Sequence, residues 1–275
     1  MAIRIITDST CDISIKKAEE MKVDIVPLKV TIDGVTYLDK FELTNEEFYE
    51  KMAKAEEIPV TTLAAPHDFI NIFNQYPDDD IICITVASKL SGTYQSAVIA
   101  KAETERDNVH VVDSCNVTIA AAILVENAVK MAEKGMSAAE IAENLREIAP
   151  KVELYAIVDT LKYLVKGGRL GKASGAIGTV LGIKPVLRVR DGVIENVAKE
   201  RGMAKAMAKM MALAMESDCE TNGYGISYGH SNNEDGMNTF IDLMGIEGSR
   251  YSIGSVVGTH AGPGAVGVAV VNTKI

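Results

Sequence analysis

The chain has 275 residues, 47% of them hydrophobic and 5% aromatic with no Trp, and a formal net charge of −10. That length points to two domains, with cores built from Ile, Val, Leu, Ala and the 12 Met. The acidic balance argues against nucleic acid as the main partner, because neutralising phosphates takes a surplus of Lys and Arg.

The first residues, Met1-Ala-Ile-Arg-Ile-Ile-Thr-Asp8, hold too short an apolar run for a signal peptide. The long uncharged stretch 251–273 is broken by glycines, Pro263 and His260, a poor membrane span. The protein is therefore expected to be cytoplasmic and not membrane-spanning. Along the first half, "IRIIT" (3–7), "VDIVPL" (23–28), "DIICITV" (80–86) and "VHVVD" (109–113) read as strands. Helical patterns follow at 92–104 and 117–133, and this alternation predicts a parallel sheet covered on both faces. Asp33-Gly34, between two alternating runs in 29–38, marks a hairpin.

The second half reads differently. "VELYAIVD" (152–159) is a strand, and a glycine-rich segment follows at 167–182. A second hairpin is expected around Asp191-Gly192, then a helix over about 201–216. Then come "NGYGISYGH" (222–230), a helix near 233–243 and two C-terminal strands, and hairpins mixed with helices predict a mixed sheet. The expected domains are 1–150, parallel α/β, and 151–275, mixed α/β, with the boundary near Pro150. Met203, Met207, Met210 and Met211 fall on one side of the 201–216 helix and predict a core face. Arg201, Lys205 and Lys209 recur every four residues and predict a basic stripe on the opposite side.

Chemistry-bearing residues gather where three first-half strands end. The first ends in Asp8-Ser9-Thr10, the third in Ser88-Lys-Leu-Ser91-Gly92-Thr93, the fourth in Asp113-Ser114. C-terminal strand ends of an open parallel sheet share one edge, and ligands bind there. Each Ser or Thr alone is also a preferred helix cap. The loop at Ser91 carries most: a helix starts directly after it, its first N–H groups lack partners, and Gly92 admits close approach. Hydroxyls, free N–H groups and a helix dipole suit an anion such as a carboxylate or phosphate.

Other chemistries find little support. Gly262-Pro-Gly264-Ala-Val-Gly267 has the spacing G-x-G-x-x-G, yet only eight residues follow and none is acidic, so no ribose ligand is available. The stretch reads instead as a glycine-rich turn presenting His260, leading into a closing strand. No Walker A sequence occurs, and the four His and four Cys show no metal-ligand or C-x-x-C spacing, so neither cofactor nor metal is expected. Ser91 and His260 are a conceivable nucleophile and base, but no G-x-S-x-G elbow surrounds Ser91 and no third group is evident to orient the histidine.

Six segments together resemble the DegV family: "ITDSTCDIS" (6–14), "SKLSGTYQSA" (88–97), "VVDS" (111–114), "LKYLVKGGRLGKASGAIGTVLGIKPVL" (161–187), "KERGMAKAM" (199–207) and "GTHAGPGAVG" (258–267). The resemblance spans essentially the whole chain. It implies two α/β domains that bury the acyl chain of a long-chain fatty acid, as in the fatty-acid-binding subunits of bacterial fatty acid kinase. It implies that the carboxylate is held by Thr61 or Thr62, by Ser91 with Gly92, and by His260. Asp8, Ser9, Asp113, Ser114 and Gly262 are expected at the rim. The family's T-S-Q-P-S segment stands here as Thr61-Thr62-Leu63-Ala64-Ala65, with the proline one place later at Pro66. The resemblance also implies a kinase partner that engages Arg169 and Arg201, with Lys205 and Lys209 alongside. Burying about sixteen carbons at about 0.8 kcal/mol per methylene would gain about 12 kcal/mol before the costs of association. Two alternatives stand beside this carrier: an acyl hydrolase using Ser91 and His260, and a lipid-responsive regulator without a kinase.

Overall fold

The computed structural model describes residues 2–170, 182–217, 219 and 223–274. Four short strands make a parallel sheet: β1 (Ile3–Asp8), β2 (Val23–Val26), β6 (Asp80–Thr85) and β7 (Val109–Asp113), in the order β2-β1-β6-β7. Helices α1 (Ile15–Met21), α3 (Pro66–Phe73), α4 (Thr93–Thr104), α5 (Thr118–Glu133) and α6 (Ala138–Ile148) belong to this part. Ile6, Ile81, Cys83 and Val111 point to one side and pack with Phe69, Phe73, Ala97 and Ala100 of α3 and α4. Ile5, Ile82, Ile84 and Val112 point to the other, against α5 and α6. Strands buried on both faces explain why these runs are continuously apolar rather than alternating.

A small antiparallel sheet, ordered β4-β3-β5, is inserted between β2 and β6. It contains β3 (Lys29–Ile32), β4 (Val35–Leu38) and β5 (Val60–Thr62), with α2 (Asn45–Lys54) packed on it through Phe48 and Tyr49. The first hairpin turns at Asp33 and Gly34, both at positive φ (47° and 80°), as a two-residue turn requires. Within α2, Thr44 and Glu47 form a reciprocal capping box.

The six-stranded sheet, ordered β10-β9-β8-β13-β11-β12, comes from residues 152–271. Its strands are β8 (Val152–Ile157), β9 (Ile183–Arg190), β10 (Val193–Arg201), β11 (Ser227–His230), β12 (Ser249–Ser252) and β13 (Val266–Val271). All neighbours are antiparallel except β11 with β12. The C-terminal strand β13 lies inside the sheet, between β8 and β11, which suits its unbroken run of six buried residues. Helices α8 (Met203–Ala214) and α9 (Glu234–Met244) cover one face, where Met207, Met210, Phe240 and Met244 meet Tyr155, Ile157, Val268 and Val270. Met203 and Met211 pack partly buried against the same cluster, so the expected methionine core face is present.

The opposite face looks toward α5, which packs on β8, β11 and β13 as well as on β1 and β6. Ten of its residues are buried, in keeping with a sequence apolar on nearly all sides. Two short helices complete the chain: α7 (Lys162–Lys166) and α10 (Ser255–Ala261).

Three sequence expectations need correction. The stretch holding His260 is not a turn: Thr259, His260 and Ala261 are the last residues of α10, and the turn comes after, at Gly262 (φ 75°) and Gly264 (φ 85°). Glycine just past a helix end accepts the left-handed backbone that a side chain resists. The 201–216 helix begins only at Met203; Arg201 pairs with Ile183 in β10, and Gly202 at φ 83° breaks strand from helix. Arg201 therefore does not share a helical stripe with Lys205 and Lys209. Of the glycine-rich segment 167–182, residues 171–181 lie outside the described residues.

Candidate functional site

The parallel sheet reverses its winding between β1 and β6, and open α/β sheets bind ligands at such a switch point, outside the strand ends. Here that crevice opens into an apolar cavity of about 350 Å³, within the usual range for small-molecule sites. Thr10 and Val86 border it from the parallel sheet and Val117 and Ile119 from the start of α5. The face of the mixed sheet away from α8 and α9 forms the other wall. Leu154, Ala156 and Val158 line the cavity, while Tyr155 and Ile157 between them face α8 and α9. This period of two places one strand in two environments. Thr118, also lining the cavity, holds a left-handed backbone at φ 52°, unusual for a β-branched residue. Its hydroxyl donates to Asp12 at 2.6 Å.

Polar groups meet at a partly exposed end. Thr61 comes from the edge strand β5, Ser91 and Gly92 from the loop before α4, His260 from the end of α10, and Arg169 from the turn after α7; all line the cavity. Thr61 Oγ1 and His260 Nε2 are 2.9 Å apart. Ser91 Oγ lies 2.9 Å from Thr93 Oγ1 and accepts from the Thr93 N–H at 3.3 Å, so it also caps α4. Arg169 donates through Nε to Leu90 O at 3.3 Å and through Nη1 to Gly167 O. The approach to Gly92 is less open than expected, because a methyl built there would meet Leu63 Cδ2 at 2.9 Å. Thr62 is exposed, pairs in register with Lys29 and also borders the cavity.

Burial, reinforced by the positive charge of Arg169, pushes the His260 imidazole down to about 4. The ring is thus neutral at pH 7. Its Nδ1 is buried without a hydrogen-bond partner. A buried N–H lacking an acceptor is costly, so the neutral ring is best protonated at Nε2. Nε2–H then donates to Thr61 Oγ1, which leaves the Thr61 hydroxyl proton free for an acceptor in the cavity.

Position of α10 is set at its other end. Asp12 Oδ1 accepts from the Gly254 N–H at 2.8 Å, and Asp39 Oδ1 from the Ser255 N–H at 3.1 Å and hydroxyl at 2.6 Å. Lys40 faces Asp12 at 3.3 Å with both side chains almost wholly buried. These three charged residues carried no sequence signal for such a role; only the fold brings residues 12, 39 and 254 together.

The residues expected at the rim do not line the cavity. Asp8 is spent inside the crevice: Oδ1 accepts from the Thr10 N–H and hydroxyl, and Oδ2 from the Val86 N–H across the switch point. Ser9 Oγ accepts from Leu28 N, and Ser114 Oγ donates to Asn116 O. Asp113 caps the N–H groups of Ser88 and Cys115. Gly262 closes α10 through its N–H to Gly258 O. Their hydrogen bonds shape the loops, and Thr10, next to Ser9, and Val117 and Ala265, three places beyond Ser114 and Gly262, reach the cavity instead. Arg201, Lys205 and Lys209 do not border it either.

The geometry does not pair Ser91 with His260. Nε2 of His260 is engaged with Thr61, and Ser91 Oγ is engaged with Thr93, whereas activation of a serine needs the base within hydrogen-bond reach.

The family described as "Uncharacterised protein, DegV family" matches residues 2–273. A DegV domain-containing protein of Caldanaerobacter subterraneus subsp. tengcongensis is 34% identical over 273 residues, covering 97% of each chain. A solved DegV family protein of Thermus thermophilus, described for its fatty acid binding, superposes with a TM-score of 0.89 at 28% identity, covering 99% of this chain and 100% of the other. A stearic acid-binding protein of Eubacterium ventriosum superposes with a TM-score of 0.88 at 28% identity, over 99% of this chain and 98% of the other.

Proposed function

This chain belongs to the DegV family, and from that premise we propose that it binds one long-chain fatty acid without a covalent bond. The observation that carries the reading is the aliphatic cavity of about 350 Å³ ending at Thr61, Ser91 and His260. The acyl chain lies against Leu154, Ala156 and Val158, and the carboxylate accepts hydrogen bonds from the Thr61 and Ser91 hydroxyls. Neutral His260 orients Thr61 by donating to it. Arg169 adds a positive charge beside the carboxylate without entering a buried ion pair, which would be costly to desolvate. Solvent extraction of purified protein followed by mass spectrometry tests this. One fatty acid per chain is expected; empty protein that takes up no fatty acid on titration overturns it.

The finer reading is that the protein acts as a carrier, presenting the carboxylate to a kinase that makes the acyl phosphate. Support comes from the exposed Arg169 at the cavity mouth and the exposed Arg201 at the end of β10, in a chain that is otherwise acidic. Complementary charge mainly sets on-rate and specificity. Arg201→Ala is the cleaner test, since Arg201 does not touch the cavity. It should retain lipid yet support slower acyl-phosphate formation with an added kinase subunit, and the wild-type rate should fall with salt. Equal rates at low and high salt rule out this docking surface, and lipid binding with no kinase substrate behaviour favours a regulator.

A further inference from the structure

The ends of α7 and α10 meet through Gly167, the residue that closes α7. Its backbone, at φ −72° and ψ −12°, is ordinary right-handed geometry open to any residue. An alanine methyl at this position would nonetheless overlap His260 Nδ1 and stand 2.9 Å from Cε1. Local conformation therefore does not demand glycine here; the imidazole does. The contrast with its neighbour is direct. Gly168 is left-handed (φ 71°), and a methyl there would meet nothing within 4 Å.

The ring is held from several sides. Nε2 faces Thr61 Oγ1, and Nδ1 is buried against the Gly167 backbone with no partner. Gly167 is itself fixed: its N–H donates to Tyr163 O at 2.8 Å, and its carbonyl accepts from Arg169. Arg169 in turn reaches Leu90 O, beside Ser91. Tyr163 packs on the other glycine-rich turn, where a methyl on Gly262 would overlap its ring.

We propose that Gly167 is a positioning residue for the polar end of the cavity: by lacking a side chain it seats the His260 ring so that Nε2 turns to Thr61 and Nδ1 is sheltered from water. The consequence for ligand rests on the fatty-acid reading above. A methyl at 167 forces the ring to rotate, which breaks the bond to Thr61, or α7 to retreat, which unshelters Nδ1 and draws Arg169 away from Leu90 beside Ser91.

The test is a double-mutant cycle of Gly167→Ala and His260→Ala, read by stearate titration, thermal melting and the imidazole ¹⁵N signals of His260. Gly167→Ala alone should weaken stearate binding at least about tenfold and shift the His260 nitrogen signals. In the His260→Ala background, where the space is free, it should change affinity less than about twofold. Gly168→Ala should lower the melting temperature through its left-handed backbone yet leave stearate affinity and the His260 signals unchanged. If Gly167→Ala does not fold, the double variant should recover folding. Unchanged His260 signals in Gly167→Ala, an equal loss in both backgrounds, or failure of the double variant to recover overturns the proposal. Should wild type bind no stearate or other fatty acid, the functional reading falls, and the nitrogen signals still decide the role of Gly167.

Discussion

At the scale of single residues, His260 makes two predictions. The first concerns binding. A hydrogen bond to a charged group contributes about 1.5–3 kcal/mol, so Ser91→Ala should weaken fatty-acid affinity by more than about tenfold, and His260→Ala should weaken it indirectly, by releasing the Thr61 hydroxyl that the ring orients. Ser91 also accepts from the Thr93 N–H, so Ser91→Ala should lower the melting temperature as well. Isotherms corrected for folded fraction separate the two effects, and unchanged affinity would leave Ser91 as a helix cap only. The second concerns pH. The His260 imidazole titrates near 4 when folded and near about 6.5 when unfolded. Between those values the unfolded chain holds more protons, so stability falls as pH drops through this window and is untouched above it. The loss attributable to His260 approaches about 3 kcal/mol at the acid end. His260→Gln, neutral throughout, should show a smaller decline in denaturant stability from pH 7 to pH 4.5 than wild type. Parallel declines would mean that the ring is solvated.

At the scale of elements, the mixed sheet separates stability from binding because its two faces do different things. Met210 on α8 is fully buried against the face away from the cavity. Met210→Ala should cost about 2–5 kcal/mol of stability with fatty-acid affinity per folded molecule unchanged. Ala156 on β8 is small and faces the cavity. Ala156→Leu fills part of the space and should shift preference toward shorter acyl chains at little cost in melting temperature. Competition between fatty acids of different length reads this out, and an unchanged preference would place the acyl chain elsewhere. The methionine face was legible in advance because burial of a helix follows from a 3.6-residue period. The start of α8 was not, because Lys199-Glu200-Arg201 continues the helical pattern backward while pairing with β9 claims those residues for a strand. Helix α10 escaped notice for a similar reason: Gly254 and Gly258 are poor helix formers, and what holds the helix is capping by Asp12 and Asp39, more than 200 positions away.

At the scale of the whole molecule, the cavity lies between two sheets and is closed by helices from both halves of the chain. Helix α10 packs against α2, β3 and β5 of the first half, and its Gly258 sits against Phe48 and Tyr49. Among the described residues no helix is long and apolar enough to cross a membrane. A ligand held between the two sheets binds only the folded state, so it should raise stability by about 2.7 kcal/mol at a hundredfold excess over its dissociation constant. Delipidated protein should therefore melt lower than protein refilled with fatty acid, in one cooperative transition. Identical melting curves would show that the lipid does not bridge the two sheets.

Local patterns along the chain determined a good deal: the parallel strands of the first half, both Asp-Gly hairpins, the long apolar helix α5, the methionine face and the mixed character of the second sheet. These depend on periods of two or 3.6 and on turn chemistry, which neighbours within a few residues decide. The distinctive segments were enough to indicate the family. What the tertiary structure alone decided is which polar side chains are consumed and which stay available. Asp8, Ser9, Asp113 and Ser114 look as reactive in sequence as Ser91, yet packing buries Asp8, Ser9 and Ser114, and hydrogen bonds commit all four, that of Asp8 reaching across the switch point to Val86. Thr61 and His260, 199 positions apart, become partners only when β5 and α10 pack side by side. Glycine at 167 has no local cause at all, because the atom that excludes a side chain there belongs to His260. Pairing of this kind is set by the energy of packing distant segments together, which no short window of sequence contains.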